Sequence, residues 1–200
     1  MNNKIVVLVS GEGTLLQALI DQQKYLNYEI ALVISDKENA KALARAQSAK
    51  ISTAKIIEKN FSNKEAWYLE ILKAIKNVNP ALVVLAGFMR ILPKSIIVEF
   101  ENKILNSHPA LLPAFPGLHA VEQAIAAGVS ETGATMHLVD QGVDTGPIVK
   151  QVAVKVLPQD TPQVLHQRIK EVEQEVLPKV VELLVGNTWQ VINGKVVIDH

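Results

Sequence analysis

Short apolar runs alternate with helix-periodic segments through the first half of the chain. Runs rich in β-branched and aliphatic residues predict strands, and they are Ile5–Val9, Glu29–Ile34, Ala54–Ile57, Ala81–Ala86 and Ile104–His108. Apolar spacings of three and four predict a helix that begins after Gly13 and others at Asn39–Ser48, Asn63–Asn77 and Lys94–Phe100. This alternation indicates an α/β fold of the Rossmann-like kind, a mainly parallel, twisted sheet with helices on both faces.

The second half of the chain has a mixed pattern. Helices are predicted at Ala120–Ala127 and at Thr161–Val185, the longer one with a bend near Pro178. Strands are predicted at Gly133–Val139 and Pro147–Val156, and Asn193-Gly194 predicts a C-terminal hairpin within Trp189–Ile198. Neither a repeat nor a low-complexity linker divides the sequence, so we expect a single domain over residues 1–200.

Polar residues at the predicted helix starts indicate the N-caps. Asp36 or Asn39 is expected to cap the second helix, and Ser62 the third. Gly128 is placed to end the helix that follows Leu118.

Composition narrows the function classes. Twenty basic residues balance twenty acidic ones, which leaves no broad basic surface for nucleic acid or an anionic membrane. The absence of cysteine excludes disulfides, thiolate catalysis and cysteine-ligated zinc. The first apolar run is too short for a signal peptide and no segment is long enough to span a membrane, so we expect a cytoplasmic protein with small-molecule partners, monomeric or homodimeric.

Asn106-Ser107-His108-Pro109 carries the most informative chemistry. Side chains at positions i and i+2 of a strand share a face, so Asn106 and His108 project together. Pro109 cannot continue the hydrogen-bond ladder, which places the pair at a strand end, where ligands of open parallel sheets gather. An amide donor beside a titratable imidazole suits a carbonyl whose oxygen becomes negative in a transition state.

The segment Ser10-Gly11-Glu12-Gly13-Thr14 joins the first strand to the first helix. Its backbone N–H groups would form an anion site at the helix N-terminus, although an ordinary tight turn is the more common explanation of such glycines taken alone. There is no Walker Gly-Lys-Ser/Thr, and Leu16 replaces the third glycine of a dinucleotide fingerprint.

Acidic and histidine residues in the second half add candidates. Asp140 and Asp144 flank a glycine loop that is either a solvated turn or a source of a carboxylate near His108, which would favour the imidazolium form. His137 points either into a cleft or into the interior. The remaining histidines are expected to be structural or at the surface, and they are His119, His166 and His200. No pair has a His-x-x-x-His spacing, so no metal site is expected.

These motifs together resemble the phosphoribosylglycinamide formyltransferases, folate-dependent enzymes of purine synthesis. The matching segments cover nearly the whole chain and are Val9–Thr14, Val84–Leu92, Asn106–Pro113, Phe115–His119, Gly133–His137 and Asp140–Pro147. Asn-x-His with a distant Asp marks the wider formyltransferase superfamily. The segments Ala-Gly-Phe-Met-Arg and Pro-Gly-Leu-His point more narrowly to the enzymes that act on glycinamide ribonucleotide.

The resemblance implies that 10-formyltetrahydrofolate gives its formyl group to the amine of phosphoribosylglycinamide through a tetrahedral intermediate. It implies that Asn106 hydrogen-bonds the oxygen of the intermediate, and that protonated His108 stabilises this oxygen and donates a proton. Asp144 would keep His108 protonated and help to relay protons from the amine. The same resemblance assigns residues 1–100 to phosphate and nucleotide binding and residues 101–200 to catalysis and folate binding, with no metal.

Binding roles also follow from the resemblance. Backbone N–H groups of Gly13, Thr14 and Leu15 would receive the substrate phosphate, and Glu173 the substrate amine. The residues implied to hold the folate are Lys64, Met89, Arg90, Ile91, Leu92, Asp140 and Val143. Three positions depart from the family pattern. Glu12 and Leu15 replace asparagines, and Lys64 replaces an arginine. Lys64 keeps the positive charge but lacks the guanidinium that can bind a carboxylate through two hydrogen bonds. These departures bear on ligand affinity rather than on the chemistry.

Other functions remain open at this stage. A formyltetrahydrofolate hydrolase would use similar Asn, His and Asp residues with water as acceptor, but we expect such an enzyme to carry an additional N-terminal domain. Transfer to methionyl-tRNA or to a sugar nucleotide, and a non-catalytic folate- or nucleotide-binding role, are further alternatives. The neutral charge and the intact Asn106, His108 and Asp144 favour the formyltransferase.

Overall fold

The computed structural model describes residues 2–198. The strands are β1 (Lys4–Val9), β2 (Glu29–Ser35), β3 (Thr53–Lys55), β4 (Leu82–Leu85), β5 (Ile104–His108), β6 (Glu131–Leu138), β7 (Ile148–Lys155), β8 (Trp189–Ile192) and β9 (Lys195–Ile198). The helices are α1 (Thr14–Gln22), α2 (Lys41–Ser48), α3 (Lys64–Val78), α4 (Lys94–Glu99), α5 (Ala120–Ala126) and α6 (Pro162–Gly186). A 3-10 turn, Glu58–Asn60, precedes α3. None of the helices in this part of the chain could cross a membrane.

The nine strands within residues 2–198 form one sheet in the order β3-β2-β1-β4-β5-β6-β7-β9-β8. The first five strands in this order, β3, β2, β1, β4 and β5, pair in parallel. Strand β6 is antiparallel to both β5 and β7. The hairpin of β8 and β9 extends the sheet through a parallel contact with β7. The predicted Rossmann-like α/β fold, with a mixed second half that ends in a hairpin, is confirmed.

Alternation along the strands supplies a core on each face of the sheet. In β1, Ile5, Val7 and Val9 face the core that includes buried residues of α1, α2 and α6. Val6 and Leu8 face the opposite core, to which α3 and α4 contribute. A strand that is buried on both faces reads as a continuous apolar run, which is why β1 lacks polar alternation.

The structure corrects several local predictions. Neither Asp36 nor Asn39 caps α2, whose N-cap position is Ala40 without a side-chain hydrogen bond. The cap of α3 is Asn63 rather than Ser62, because the Asn63 side chain accepts the Ala66 N–H. The third strand ends at Lys55 instead of Ile57.

Other local predictions agree with the structure or lie outside it. The last helix continues through Pro178 as one element, and the bend expected there stays a prediction. Gly128 has a φ of 64° directly after α5, and Asn193 and Gly194 have positive φ values in the hairpin turn. His200 lies outside the described residues. The division of roles between residues 1–100 and 101–200 stays a prediction.

Candidate active site

The carboxyl ends of β1, β4 and β5 bring the predicted site segments to one edge of the sheet. These three strands are neighbours in parallel register, and Leu85 of β4 pairs with Asn106 of β5. The turn after β1 contacts the segment after β4, because the Met89 N–H donates to Ser10 Oγ at 2.8 Å. The structure therefore places the glycine turn beside the Met89 segment, at the edge where β5 ends.

His108 uses both ring nitrogens in contacts with oxygen atoms. Its Nε2 lies 2.8 Å from the carbonyl oxygen of Phe115, and its Nδ1 lies 3.3 Å from Asp144 Oδ2. A carbonyl oxygen only accepts hydrogen bonds, so Nε2 must carry a proton. Protonation of Nδ1 as well would let the ring donate to both oxygens, and the imidazolium is therefore compatible with this buried position.

Asp144 lies between the two histidines of the site. Its Oδ2 accepts the Gly117 N–H at 2.8 Å, and its Oδ1 lies 3.4 Å from His137 Nε2. The contact with His137 is the largest influence that lowers the pKa of Asp144, to about 2, with help from Gly117 and His108 and against the effect of burial. Asp144 is therefore a carboxylate throughout the physiological pH range.

His137 is a site residue whose direction the sequence left open. It is buried on β6 directly opposite Asn106, and its Nε2 lies 3.2 Å from Asn106 Nδ2. Its Nδ1 lies 3.0 Å from the carbonyl oxygen of Leu138 and carries the proton of that contact, while Nε2 faces both the Asn106 amide and Asp144 Oδ1. Only one N–H of the Asn106 amide can face this nitrogen, so the second is available. The strand-face alternation of Thr135 and His137 was the sequence signal for it.

Thr135 braces the loop that follows β5. Its hydroxyl donates to the carbonyl oxygen of Ala110 at 2.6 Å and accepts the Leu112 N–H at 3.1 Å. Gln151 adds donors to Thr135 Oγ1 and to the carbonyl oxygen of Leu112. The sequence alone did not indicate this role, although Thr135 lies in the matching segment Gly133–His137.

The glycine turn has the geometry expected for a helix-terminus anion site. Gly13 occupies the N-cap position of α1 with a φ of 71° and no side-chain cap. A Cβ at this position would lie 2.6 Å from Ala42 Cβ, so glycine is required for conformation and for packing against α2. Leu15 is buried in the core, so only its backbone N–H can face a ligand.

Glu12 is held by two cations from α2. Its carboxylate forms an exposed ion pair with Lys41 at 3.0 Å, and its carbonyl oxygen accepts from Arg45 Nε at 2.9 Å. Arg45 also donates to Gln17 Oε1, which ties α2 to α1. The pairing with Lys41 offsets the negative charge that Glu12 adds to this turn.

Arg90 is held by three neighbours. Its Nε donates to Asp36 Oδ2 at 2.9 Å, one Nη lies 3.1 Å from Glu58 Oε2, and the guanidinium lies 5.4 Å from the ring of Trp67. Asp36 is buried, and its Oδ1 has no hydrogen-bond partner in the described chain. The sequence suggested Asp36 only as a helix cap, and its contact with a residue 54 positions away could not be read from local pattern.

The other residues predicted to hold folate are spread around this edge. Met89 and Ile91 are exposed, Leu92 is buried, and Val143 is exposed on the loop after β6. The carboxylate of Asp140 accepts from Gly142 and Thr145 of its own loop.

An open cavity of about 620 Å³ lies beside this segment. Lys64 and Arg90 contribute to its walls, together with Asp36, Lys37 and Glu58, whereas Asn106, His108 and Asp144 do not. The Lys64 ammonium lies 5.7 Å from the Tyr68 ring and has no acidic partner among residues 2–198. The cavity therefore adjoins Arg90 and is separate from the cluster of Asn106, His108 and Asp144.

Glu173 reaches the same strand from α6. It is buried, and its Oε1 accepts the hydroxyl hydrogen of Ser107 at 2.6 Å. Burial is the largest influence on the pKa of Glu173 and raises it, while Ser107 and Lys170 act in the opposite direction. Within the described residues there is no cluster of three or more histidine or acidic side chains arranged for a metal ion.

Known proteins are similar to this chain over most of its length. Residues 3–181 match a family model described as formyl transferase. The phosphoribosylglycinamide formyltransferase of Bacillus subtilis is 38% identical over 185 residues, which cover 92% of this chain and 95% of that protein. The chain belongs to the phosphoribosylglycinamide formyltransferase family.

Solved structures agree with this family assignment. Glycinamide ribonucleotide transformylase 1 from Symbiobacterium toebii is 37% identical with a TM-score of 0.95, covering 98% of this chain and 94% of that one. A formyltetrahydrofolate deformylase from Pseudomonas syringae is 27% identical with a TM-score of 0.91, covering 99% of this chain and 66% of that one. This fold is thus shared with a protein that is named for a different activity.

Family members also occur inside longer proteins. The trifunctional purine biosynthetic protein adenosine-3 of Drosophila melanogaster is 41% identical over 189 residues, which cover 92% of this chain. The chain spans 14% of the length of that relative. The similarity therefore concerns one part of a protein with several activities.

Proposed function

We propose that this protein transfers the formyl group of 10-formyltetrahydrofolate to the amine of 5'-phosphoribosylglycinamide, a step of purine biosynthesis. The observation that carries the proposal is the convergence of Asn106, His108 and Asp144 at the end of β5 in a member of this family. An amide donor, a histidine that can carry two protons and an ionised carboxylate are the groups that acyl transfer to an amine requires.

The chemistry begins with attack of the amine nitrogen on the formyl carbon. A new C–N bond forms and the formyl oxygen becomes negative, and the second N–H of the Asn106 amide and protonated His108 stabilise that oxygen. The bond from the formyl carbon to the folate nitrogen then breaks. The proton lost by the attacking amine reaches this leaving nitrogen through His108, so atoms and charges balance without a metal or a covalent enzyme intermediate.

The contacts of His108 define its part in this sequence. Nε2 already donates to the Phe115 carbonyl oxygen, so donation to the intermediate requires Nε2 to exchange this partner for the new oxyanion. Asp144 faces Nδ1 and remains ionised because its pKa is about 2. Asp144 therefore acts by stabilising imidazolium rather than by holding the proton itself.

Substrate binding is assigned to the neighbouring segments. The free N–H groups of Gly13, Thr14 and Leu15 receive the phosphate, and Glu173 receives the amine. The exposed Met89 and Ile91, with Leu92, Val143 and Asp140, hold the pterin part of the folate, while Arg90 and Lys64 lie toward the cavity that suits its carboxylate tail. Cytoplasmic localisation and a monomer or homodimer remain part of the proposal.

A formyltetrahydrofolate hydrolase is the second candidate, because the deformylase from Pseudomonas syringae shares the fold. In that reaction water replaces the amine as the attacking group. Such an enzyme would release formate and would not need the glycine turn or Glu173 for an acceptor.

The deciding experiment measures tetrahydrofolate release by the purified protein from 10-formyltetrahydrofolate, with and without phosphoribosylglycinamide. We expect release only when the acceptor is present, with one formylated acceptor formed for each folate consumed. The His108→Ala variant serves as the inactive control, and its folate affinity should stay near that of the wild type. Formate release at the same rate without acceptor would reject the transferase in favour of the hydrolase.

A further inference from the structure

A carboxylate occupies the apolar stripe of α6. Side chains four residues apart lie on one face of a helix, and the buried members of this row are Leu165, Ile169, Glu173, Leu177 and Val181. Glu173 is 5% exposed, although its neighbours in the row are aliphatic. Burying a carboxylate without hydrogen-bond partners costs free energy, so the contacts of Glu173 indicate why it is tolerated at this position.

Ser107 is the hydrogen-bond partner of this carboxylate. The Ser107 hydroxyl donates to Glu173 Oε1 at 2.6 Å. The other oxygen, Oε2, makes no hydrogen bond within residues 2–198, and it is not among the fully enclosed unpartnered atoms of that part of the chain, which are Asp36 Oδ1 and Thr132 Oγ1. Oε2 therefore retains both an unused acceptor position and access to solvent.

Ser107 lies between the two residues that face the formyl group. Adjacent strand residues point to opposite faces, and the contacts follow this rule: Asn106 meets His137, His108 meets Asp144, and Ser107 meets Glu173. We propose that Ser107 is a positioning residue for the acceptor, because its hydroxyl holds Glu173 so that Oε2 accepts a hydrogen bond from the acceptor amine. This inference rests on the proposed transferase function.

The electrostatic setting gives Ser107 a second effect on the same carboxylate. Burial raises the pKa of Glu173, and the Ser107 hydrogen bond opposes that rise. Lys170 on the same helix also opposes it, and within the described chain no charged group of α1, α5, β4, β6 or β7, which pack on α6, adds to these influences. Removal of the hydroxyl should therefore raise the pKa of Glu173 further and favour its neutral form, which accepts an amine less well.

The test compares Ser107→Ala and Ser107→Thr with the wild type in steady-state assays over a pH series. For Ser107→Ala we expect roughly a tenfold increase in KM for phosphoribosylglycinamide, with a smaller change in kcat and in the folate KM, because a hydrogen bond to a charged group is lost. The acid limb of kcat/KM for the acceptor should move to higher pH. Ser107→Thr retains the hydroxyl and should restore both properties, and Ser95→Ala, on the exposed side of α4, should change neither.

Glu173→Gln provides the coupling test. If Ser107 acts through Glu173, adding Ser107→Ala to Glu173→Gln should produce little further increase in the acceptor KM. An unchanged acceptor KM and acid limb in folded Ser107→Ala, or its full effect in the Glu173→Gln background, would overturn the proposal. If Ser107→Ala does not fold, Ser107→Cys replaces it, because a thiol is close in size to the hydroxyl but is a weaker donor. The acceptor KM and the acid limb of kcat/KM are then measured for Ser107→Cys in the same way.

The outcome for the wild type separates this inference from the proposed function. Wild-type protein without acceptor-dependent turnover would contradict the transferase itself. Wild-type protein with that turnover, together with a Ser107→Ala variant that retains the wild-type acceptor KM and pH profile, would contradict the role of Ser107 alone.

Discussion

At the scale of single residues, charge pairing around Asp144 organises the site. One carboxylate contacts His108 through Oδ2 and His137 through Oδ1, and the Gly117 N–H completes its hydrogen bonds. His137 in turn contacts the amide of Asn106. The orientations of the amide and of the imidazole therefore depend on the same partly buried carboxylate, so a change at Asp144 should affect both chemistry and folding.

Substitution of Asp144 by Asn should separate these two effects. The formyl-transfer kcat should fall by orders of magnitude, because neutral Asn no longer stabilises the His108 imidazolium. In the wild type, a native pKa of about 2 below an unfolded value of 3.8 gives stability that is present above the unfolded pKa and is lost as the pH falls toward 2. After allowance for solvent screening this contribution is about 1 kcal/mol.

Urea unfolding between pH 5 and pH 2.5 measures the second effect of Asp144→Asn. The variant should lack the part of the acid-induced loss of stability that comes from this carboxylate. Asp21→Asn, which changes an exposed carboxylate on α1, should keep the wild-type pH dependence. Parallel curves for Asp144→Asn and the wild type would contradict the assignment of the depressed pKa.

The pair of Asp36 and Arg90 leads to a second prediction at this scale. Asp36→Ala should lower stability by roughly 2 kcal/mol because it leaves a half-buried guanidinium with one acidic partner. It should also raise the KM for 10-formyltetrahydrofolate several-fold, since Arg90 adjoins Met89 and Ile91, while the acceptor KM stays near the wild-type value. Glu58→Gln removes the more exposed partner and should have a smaller effect on both. Equal changes in the two KM values would contradict a folate-specific role.

At the scale of elements, the turn between β1 and α1 depends on its contact with α2. Gly13 approaches Ala42 at a distance that excludes a Cβ, while the Ala42 N–H donates to the carbonyl oxygen of Gly11 at 3.1 Å. Arg45 crosses from α2 to the same turn. Correct placement of the α1 N-terminus therefore depends on the packing of β1, α1 and α2 together, and not on the glycine motif alone.

Gly13→Ala should displace this turn. The methyl group would enter the space of Ala42 in a backbone conformation with positive φ, and we expect a loss of about 1–3 kcal/mol in the free energy of unfolding. The acceptor KM should rise at least tenfold because the phosphate-facing N–H groups move, whereas the folate KM should change less. Gly11→Ala is the matched stability control, since a Cβ there meets nothing within 4 Å. Similar unfolding free energies for the two variants would contradict the packing explanation.

The elements also show how far the sequence could predict the molecule. Apolar runs predicted the strands through β5, because each is short and bounded by turn residues, and Asn193-Gly194 predicted the hairpin. Helix caps were predicted less well, since Asn63 and Ser62 are chemically similar and only backbone geometry selects one. The partners of Asp36 and Glu173 could not be predicted, because each contact joins residues more than 50 positions apart. The apolar spacing around Glu173 was nevertheless a visible signal of a buried carboxylate.

At the scale of the whole molecule, equal numbers of acidic and basic residues mean that no net charge attracts the proposed substrates, which are anionic. Attraction must come from local charged groups, and the cavity beside Arg90 contains such a group of cations. Arg90 is paired with Asp36 and Glu58, and Lys59 with Glu38, whereas neither Lys64 nor Lys37 has an acidic partner among residues 2–198. Of these two lysines, Lys64 is the one that the family resemblance assigns to the folate, so it should supply most of the salt-sensitive attraction for the carboxylate tail.

The salt dependence of kcat/KM tests this distribution of charge. For the wild type, we expect kcat/KM for 10-formyltetrahydrofolate to fall a few-fold between about 50 and 500 mM salt, because screening weakens exposed charges over this range. Lys64→Ala should lower the low-salt value and flatten the dependence, while leaving the acceptor's dependence unchanged. Lys73→Ala, on the same helix but paired with Glu70, should retain the wild-type slope. An equally steep slope in Lys64→Ala would mean that other cations of the cavity, among them Lys37, attract the tail instead.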